Sequence, residues 1–298
     1  MPTFTAPDGT ELAYHLKGHG GPLVVLPGGP MRASEYLGDL GGLDAHRQLV
    51  LLDLRGTGQS AVPRDPATYR CDRLVDDVEA LRVRLGLERM DVLAHSAGGS
   101  LAMRYAARYP ERVRRLALIT ATPWAVGMPA TVEDRLEAAR LRKDEPWYED
   151  AYPAFEAAWT GQGPEGDDMM TYAPFFYGRW DAAARAHMAA DEHQVNEEAY
   201  ELYGSEGAYD PPATRAALAQ LDAPVLVYAG ELDGGPRPAL ARRAVDLFPR
   251  GEFAVQPGAG HYPWLDDPER FVGCVAEFFG RRRPAQRSAA AATDRAHR

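Results

Sequence analysis

Short continuous apolar runs alternate with amphipathic stretches through most of the chain. Phe4–Thr5 and Glu11–Leu16 flank the turn dipeptide Asp8-Gly9 and read as a hairpin. Pro22–Leu26, Gln48–Asp53, Met90–Ala94, Val113–Ile119, Pro224–Ala229 and the shorter Glu252–Val255 follow. None of these alternates strictly between apolar and polar, which suits strands buried on both faces, as in a parallel sheet. Helical patterns lie between them. Asp72–Leu85 puts Leu74, Val78, Leu81 and Leu85 on one face, with Asp72 placed to cap its start. Leu101–Tyr109, Pro238–Phe248 and Pro268–Phe279 supply three more. Strand and helix in repeated succession predict an α/β chain with a mostly parallel, doubly wound sheet.

The alternation stops near Trp124 and resumes after Asp210. The intervening stretch holds Trp147, Trp159, Trp180, several tyrosines and acidic helical runs, and no run suited to a buried strand. Residues 124–210 therefore read as a helical cap over the carboxyl edge of the sheet. Residues 1–123 and 211–280 read as the core domain that the cap interrupts. A small independent helical domain is the competing reading; the return to strand and helix after Pro211-Pro212 favours a cap. Residues 281–298, an arginine cluster followed by an alanine run, read as a disordered tail.

A chain of 298 residues suits one large α/β domain or one domain with an insertion. Its formal net charge of -10 argues against nucleic acid or an anionic membrane surface as a partner. No stretch reaches the ~18 apolar residues of a membrane helix, and the start lacks the basic-then-apolar pattern of a signal peptide. Cys71 and Cys274 lack disulfide or metal spacing and read as small structural residues. A reducing cytoplasm is the expected compartment. With no His-Glu-x-x-His, cysteine cluster, P-loop or Gly-x-Gly-x-x-Gly, no metal or cofactor is expected. The expected partner is a small-molecule or short peptide substrate.

Chemistry concentrates at the ends of the predicted strands. Val92-Leu-Ala-His-Ser-Ala-Gly-Gly99 joins a strand to a helix in the manner of a nucleophile elbow, Gly-x-Ser-x-Gly, with Ala94 at the first glycine position. The turn is tight, so the residues two before and two after Ser96 must be small, as Ala94 and Gly98 are. A plain serine in a glycine-rich turn is the bland alternative. A serine nucleophile needs a base, and the base an orienting acid, in the chain order Ser, acid, His. Asp233 closes Val225-Leu-Val-Tyr-Ala-Gly-Glu-Leu-Asp233, and His261 closes Gln256-Pro-Gly-Ala-Gly-His261. Both fall past carboxyl ends of strands, where α/β sheets carry their sites. Glu231 is the rival acid. His95, adjacent to Ser96, should point away and reads as packing. The oxyanion donors are expected to be Ala97 N–H and an amide of Pro27-Gly-Gly-Pro30, with Gly29 favoured over Gly28.

These motifs resemble the proline iminopeptidase branch of the α/β-hydrolases. Pro27-Gly-Gly-Pro30, Asp53-Leu-Arg-Gly-Thr-Gly-Gln-Ser60, the Ser96 elbow, Gly230-Glu-Leu-Asp233 and Gly260-His261 carry the resemblance, which spans about residues 4–280. It implies an α/β-hydrolase fold, a mostly parallel doubly wound sheet with a helical cap insertion, and a serine hydrolase. Pro27, Met31 and Ala97 stand where that branch has His, Gly and Trp. Arg55 is expected to brace its loop. The branch holds the free amine of its substrate with cap glutamates, a role the resemblance gives to Glu192, with Glu197 and Glu198 as alternatives; solvated acids on an exposed helix are the bland reading of all three. Release of N-terminal proline thus competes with hydrolysis of a small ester or lactone. A catalytically inert ligand-binding protein is the third reading.

Overall fold

A computed structural model describes residues 1–161 and 169–281. Eight strands form one sheet: β1 (Thr3–Thr5), β2 (Glu11–Lys17), β3 (Pro22–Leu26), β4 (Gln48–Leu52), β5 (Met90–His95), β6 (Val113–Ile119), β7 (Val225–Gly230) and β8 (Gly251–Gln256). Their order is β1-β2-β4-β3-β5-β6-β7-β8. β1 pairs antiparallel with β2, and β2 with β4; every later pairing is parallel. The continuous apolar runs have a period-2 explanation. Val24, Leu26, Val92, Ala94, Leu116 and Val225 enter one apolar cluster, while Leu23, Val25, Leu93, Ala117 and Leu226 enter another on the opposite face. Each large side chain among them, fully buried, contributes about 1.5–3 kcal/mol.

Helices cover both faces. α1 (Cys71–Arg84) packs against α2 (Gly98–Arg108) on the first cluster. Asp72 does not cap α1: Arg70 occupies the cap position, and the Asp72 carboxylate takes two hydrogen bonds from the Arg70 guanidinium instead. The chain then runs through α3 (Val132–Arg140), α4 (Tyr148–Thr160), α5 (Met169–Tyr172), α6 (Ala182–Ala189), α7 (Asp191–Gln194), α8 (Glu197–Tyr203) and α9 (Pro211–Leu218). Beyond β7 come α10 (Pro238–Val245), α11 (Pro263–Asp266) and α12 (Pro268–Gly280), the last on the second cluster.

Among the described residues between β6 and β7 there are helices and turns but no strand. Two small apolar clusters are centred on this stretch, one around Phe155 and Phe175 and one around Tyr177 and Met188. Its two ends behave differently, since Ala125, Val126, Ala199 and Tyr203 share the main core. The tail read from residue 281 lies, past Arg281, outside the described residues. Both cysteines are free, and no helix among the described residues is long and apolar enough to cross a membrane.

β3 has β4 on one side and β5 on the other, so the chain turns opposite ways from neighbouring strands. The crevice past the carboxyl ends of such strands is where α/β sheets place ligands. The loop after β4 is held by a buried ion pair: the Arg55 guanidinium forks onto Asp77 of α1, and its remaining nitrogen reaches Asp8 at 2.6 Å. Asp77 is fully buried and Arg55 is 3% exposed. Asp77→Ala should therefore leave the buried Arg55 with only the exposed Asp8 as partner and cost about 3–5 kcal/mol, whereas the double change Arg55→Met, Asp77→Leu should recover most of that. Urea midpoints of the three proteins check this; equal midpoints for wild type and Asp77→Ala would rule out a structural pair.

Candidate active site

Ser96 lies between the end of β5 and the start of α2 with φ of 51°. A non-glycine residue in that left-handed region costs about 1–3 kcal/mol, so neighbours must hold it there. Its carbonyl accepts from Gly99 N–H at 2.9 Å and Thr122 N–H at 3.0 Å, and its own N–H donates to Ile119 O at 3.1 Å. The turn also requires clearance. A Cβ on Gly28 would stand 2.7 Å from Ser96 Cβ, and one on Gly98 would stand 2.7 Å from Leu26 O. Glycine at both positions is thus a steric condition of the elbow.

Ser96, His261 and Asp233 come together although 165 positions of sequence separate the serine from the histidine. His261 Nε2 lies 2.9 Å from Ser96 Oγ, and His261 Nδ1 lies 2.8 Å from Asp233 Oδ2. Asp233 Oδ1 accepts from Gly235 N–H at 2.8 Å, so both carboxylate oxygens are engaged. His261 is clamped through its backbone: its N–H donates to Phe176 O at 2.7 Å, and its carbonyl accepts from Thr120 Oγ1 at 2.9 Å. Glu231, the rival acid, is exposed and accepts from Gly258 N–H at 2.8 Å, shaping the turn before His261.

His95 is more than packing. It is 1% exposed; its Nδ1 lies 2.7 Å from Tyr36 Oη and its Nε2 lies 2.9 Å from His261 O. Burial, together with the nearby His261, holds its pKa well below the ordinary imidazole value. A neutral ring resolves the pattern: Nε2–H donates to the His261 carbonyl, and Nδ1 accepts from the Tyr36 hydroxyl. Tyr36 Oη in turn accepts from Gly28 N–H at 2.7 Å. That leaves Gly28 unable to serve an oxyanion. Among the described residues neither the Gly29 amide, in a backbone with φ of 114°, nor the Ala97 amide at the head of α2 has a hydrogen-bond partner.

Ser96, His261, Asp233 and Gly29 line a cavity of about 770 Å³. Trp124, Phe155, Trp159, Phe175, Phe176 and Tyr262 give it an aromatic wall. Glu192 and Glu197 line it as exposed side chains; Glu198 does not line it. Sequence reasoning missed four other groups. Arg32, 2% exposed, pairs with Asp191 at 2.7 Å, donates to Gln194 Oε1 and His187 O, and stacks on Tyr36. Arg135 and Glu201 also line the cavity, and Tyr36 closes the relay described above. Among the described residues no group of three His, Cys, Asp or Glu side chains could hold a metal ion.

A second histidine, His187 of α6, is drawn down to about 4 by burial and by Arg32. Its Nδ1 meets Tyr177 Oη at 2.7 Å. Unfolded, an imidazole takes its proton near ~6.5. Between that pH and about 4 the unfolded chain therefore binds a proton that the folded chain refuses, and stability falls as pH falls. The contribution is complete above the unfolded value. Urea midpoints from pH 7 to 4 should decline more steeply for wild type than for His187→Gln; parallel declines would contradict a neutral His187.

Comparison with known proteins places this geometry. The model of the α/β hydrolase fold matches residues 21–268. A proline iminopeptidase of Levilactobacillus brevis is 28% identical over 269 residues, covering 86% of this chain and 87% of the relative. The solved proline iminopeptidase of Mycobacterium smegmatis is 28% identical with a TM-score of 0.70, covering 94% and 98%. An esterase from Rhodococcus has the same TM-score of 0.70 at 23% identity, covering 94% and 98%, a likeness of fold alone.

Proposed function

The chain belongs to the α/β-hydrolase family, and on that premise we propose that it is a serine hydrolase cleaving an acyl bond through an acyl-enzyme. The observation that carries this is the unbroken line from Ser96 Oγ to His261 to Asp233, at 2.9 and 2.8 Å, opening on a cavity beside two unpartnered amides. Ser96 Oγ attacks the substrate carbonyl while His261 Nε2 takes its proton; Asp233 holds the tautomer and supports the imidazolium. The tetrahedral oxyanion accepts from the Gly29 and Ala97 amides. His261 then protonates the leaving group, and water, deprotonated by the same ring, releases the acid. The described residues of 124–210 act as a cap that supplies the aromatic wall apart from Tyr262. A ligand-binding protein without catalysis would have no use for so complete a relay.

Fluorophosphonate should label Ser96 alone, as peptide mass spectrometry would register, and Ser96→Ala should lower kcat by about 10⁴–10⁶. Labelling of a different serine in active protein would displace this assignment.

Two substrate classes fit the chemistry. A small carboxylic ester or lactone is the first, because the glutamates that line the cavity are exposed and therefore weak counter-charges for a buried amine. Release of N-terminal proline is the second. It is favoured by the relatives' names and by Glu192, Glu197 and Glu201, which line the cavity with no cationic partner among the described residues. Parallel assays of p-nitrophenyl esters, proline p-nitroanilide and its N-acetyl counterpart separate the two. Ester turnover with both anilides inert is expected. Cleavage of the free-amine anilide alone, with KM raised ten-fold or more by Glu192→Gln, would establish the peptidase instead.

A further inference from the structure

Two arginines face the cavity, and they differ in one respect. Arg32 is held by the Asp191 carboxylate, Gln194 Oε1 and the His187 carbonyl. Arg135, half-buried on α3, pairs with no carboxylate among the described residues. Its guanidinium packs on the Trp159 ring, 3.7 Å from the centroid, and lies against Gly235, where an added Cβ would stand 3.0 Å from Arg135 Cζ. Asp233 is two residues away from that glycine, but both of its oxygens are already engaged, by His261 and by Gly235 N–H. Burial draws the Arg135 pKa down against the upward pull of Asp233 and Asp134. Packing on the ring fixes the guanidinium and leaves its edge for a planar anion, which an arginine fork grips with two parallel hydrogen bonds.

We propose that Arg135, held on Trp159, is an anion subsite of the catalytic cavity, and that the substrate carries a carboxylate in addition to the bond that is cleaved. The proposal rests on the serine-hydrolase reading and sharpens it. The glutamates that line the same cavity do not cancel the subsite: Glu192, Glu197 and Glu201 are exposed, so water and salt screen them within ~8 Å. Gly234 and Gly235 provide the room, since side chains there would meet α3.

Two matched ester pairs test this in wild type, Arg135→Gln and Arg135→Lys. Mono-p-nitrophenyl glutarate against p-nitrophenyl valerate places the carboxylate on the acyl side; 4-acetoxybenzoate against 4-acetoxybenzamide places it on the leaving side. In at least one pair wild type should prefer the anionic ester, by kcat/KM relative to alkaline hydrolysis. Arg135→Gln should cut that preference ten-fold or more, with Arg135→Lys intermediate. An equal loss on both members of a pair would mean that Arg135 only supports Asp233, and a preference untouched by Arg135→Gln would overturn the subsite. Failure of wild type to cleave any ester would count against the ester-hydrolase reading alone. Calorimetry then decides the subsite separately: benzoate should bind wild type at least ten-fold tighter than benzamide, and Arg135→Gln should erase the difference. Equal binding of the two, or a difference that survives in Arg135→Gln, would end the proposal.

Discussion

The left-handed backbone of Ser96 is the constraint to which the rest of the site answers. A side chain exposed at the tip of a strand-to-helix turn needs a φ that a non-glycine residue resists, here 51°. The turn closes only if β3 and β5 are neighbours, because Gly28 and Gly98 must pass within contact of Ser96 and Leu26. That adjacency is also what creates the crevice where the strand order reverses. One local torsion therefore ties together the sheet topology, the glycines of two loops and the position of Ser96 Oγ.

The same adjacency makes His95 useful. Its backbone follows from its place beside Ser96, and its ring is carried to the side where Tyr36 and the His261 loop converge. A charged imidazole would be costly there; a neutral one donates once and accepts once, which matches the two groups it meets. Tyr36 completes the link by occupying the Gly28 amide. A single hydrogen-bonded line thus fixes the backbone of His261 and selects which amide of the glycine pair stays free among the described residues. Asp53 has a similar effect in the neighbouring loop. Its carboxylate takes Ser34 N–H and Gln59 N–H, both at 2.9 Å, and so joins the chain segments after β3 and β4.

Legibility in the sequence follows the range of the interactions. The strands are readable because both faces of the sheet are apolar, which removes polar alternation from Leu23–Leu26 and Leu49–Leu52. Ser96, Asp233 and His261 are readable because each sits in a local motif and their order along the chain is restricted. Asp72 misleads because a helix-start acid can cap a backbone or pair with a neighbour, and Arg70, two residues earlier, offers the second. Arg32, Tyr36 and Arg135 carry no local signal. Arg32 meets Asp191 across three intervening strands of sequence, and Arg135 gains its meaning only from Trp159 and Gly235.

The distribution of charge gives the cavity its character. The chain as a whole is acidic, with a formal charge of -10, so its long-range field repels anions. Selection for an anionic substrate would then have to come from inside, at short range and low dielectric, where one guanidinium with no carboxylate partner among the described residues outweighs several screened carboxylates. Arg32 shows what the interior does with a cation that serves the fold, surrounding it with Asp191, Gln194 and a carbonyl. Arg135 sits in the same cavity on an aromatic ring, with its edge unanswered among the described residues. A half-buried polar group whose edge has no partner discriminates between a ligand that satisfies it and an isostere that does not. The difference between the two arginines is accordingly the difference between a group that ties α7 to the loop after β3 and, on the proposed reading, one left for a ligand.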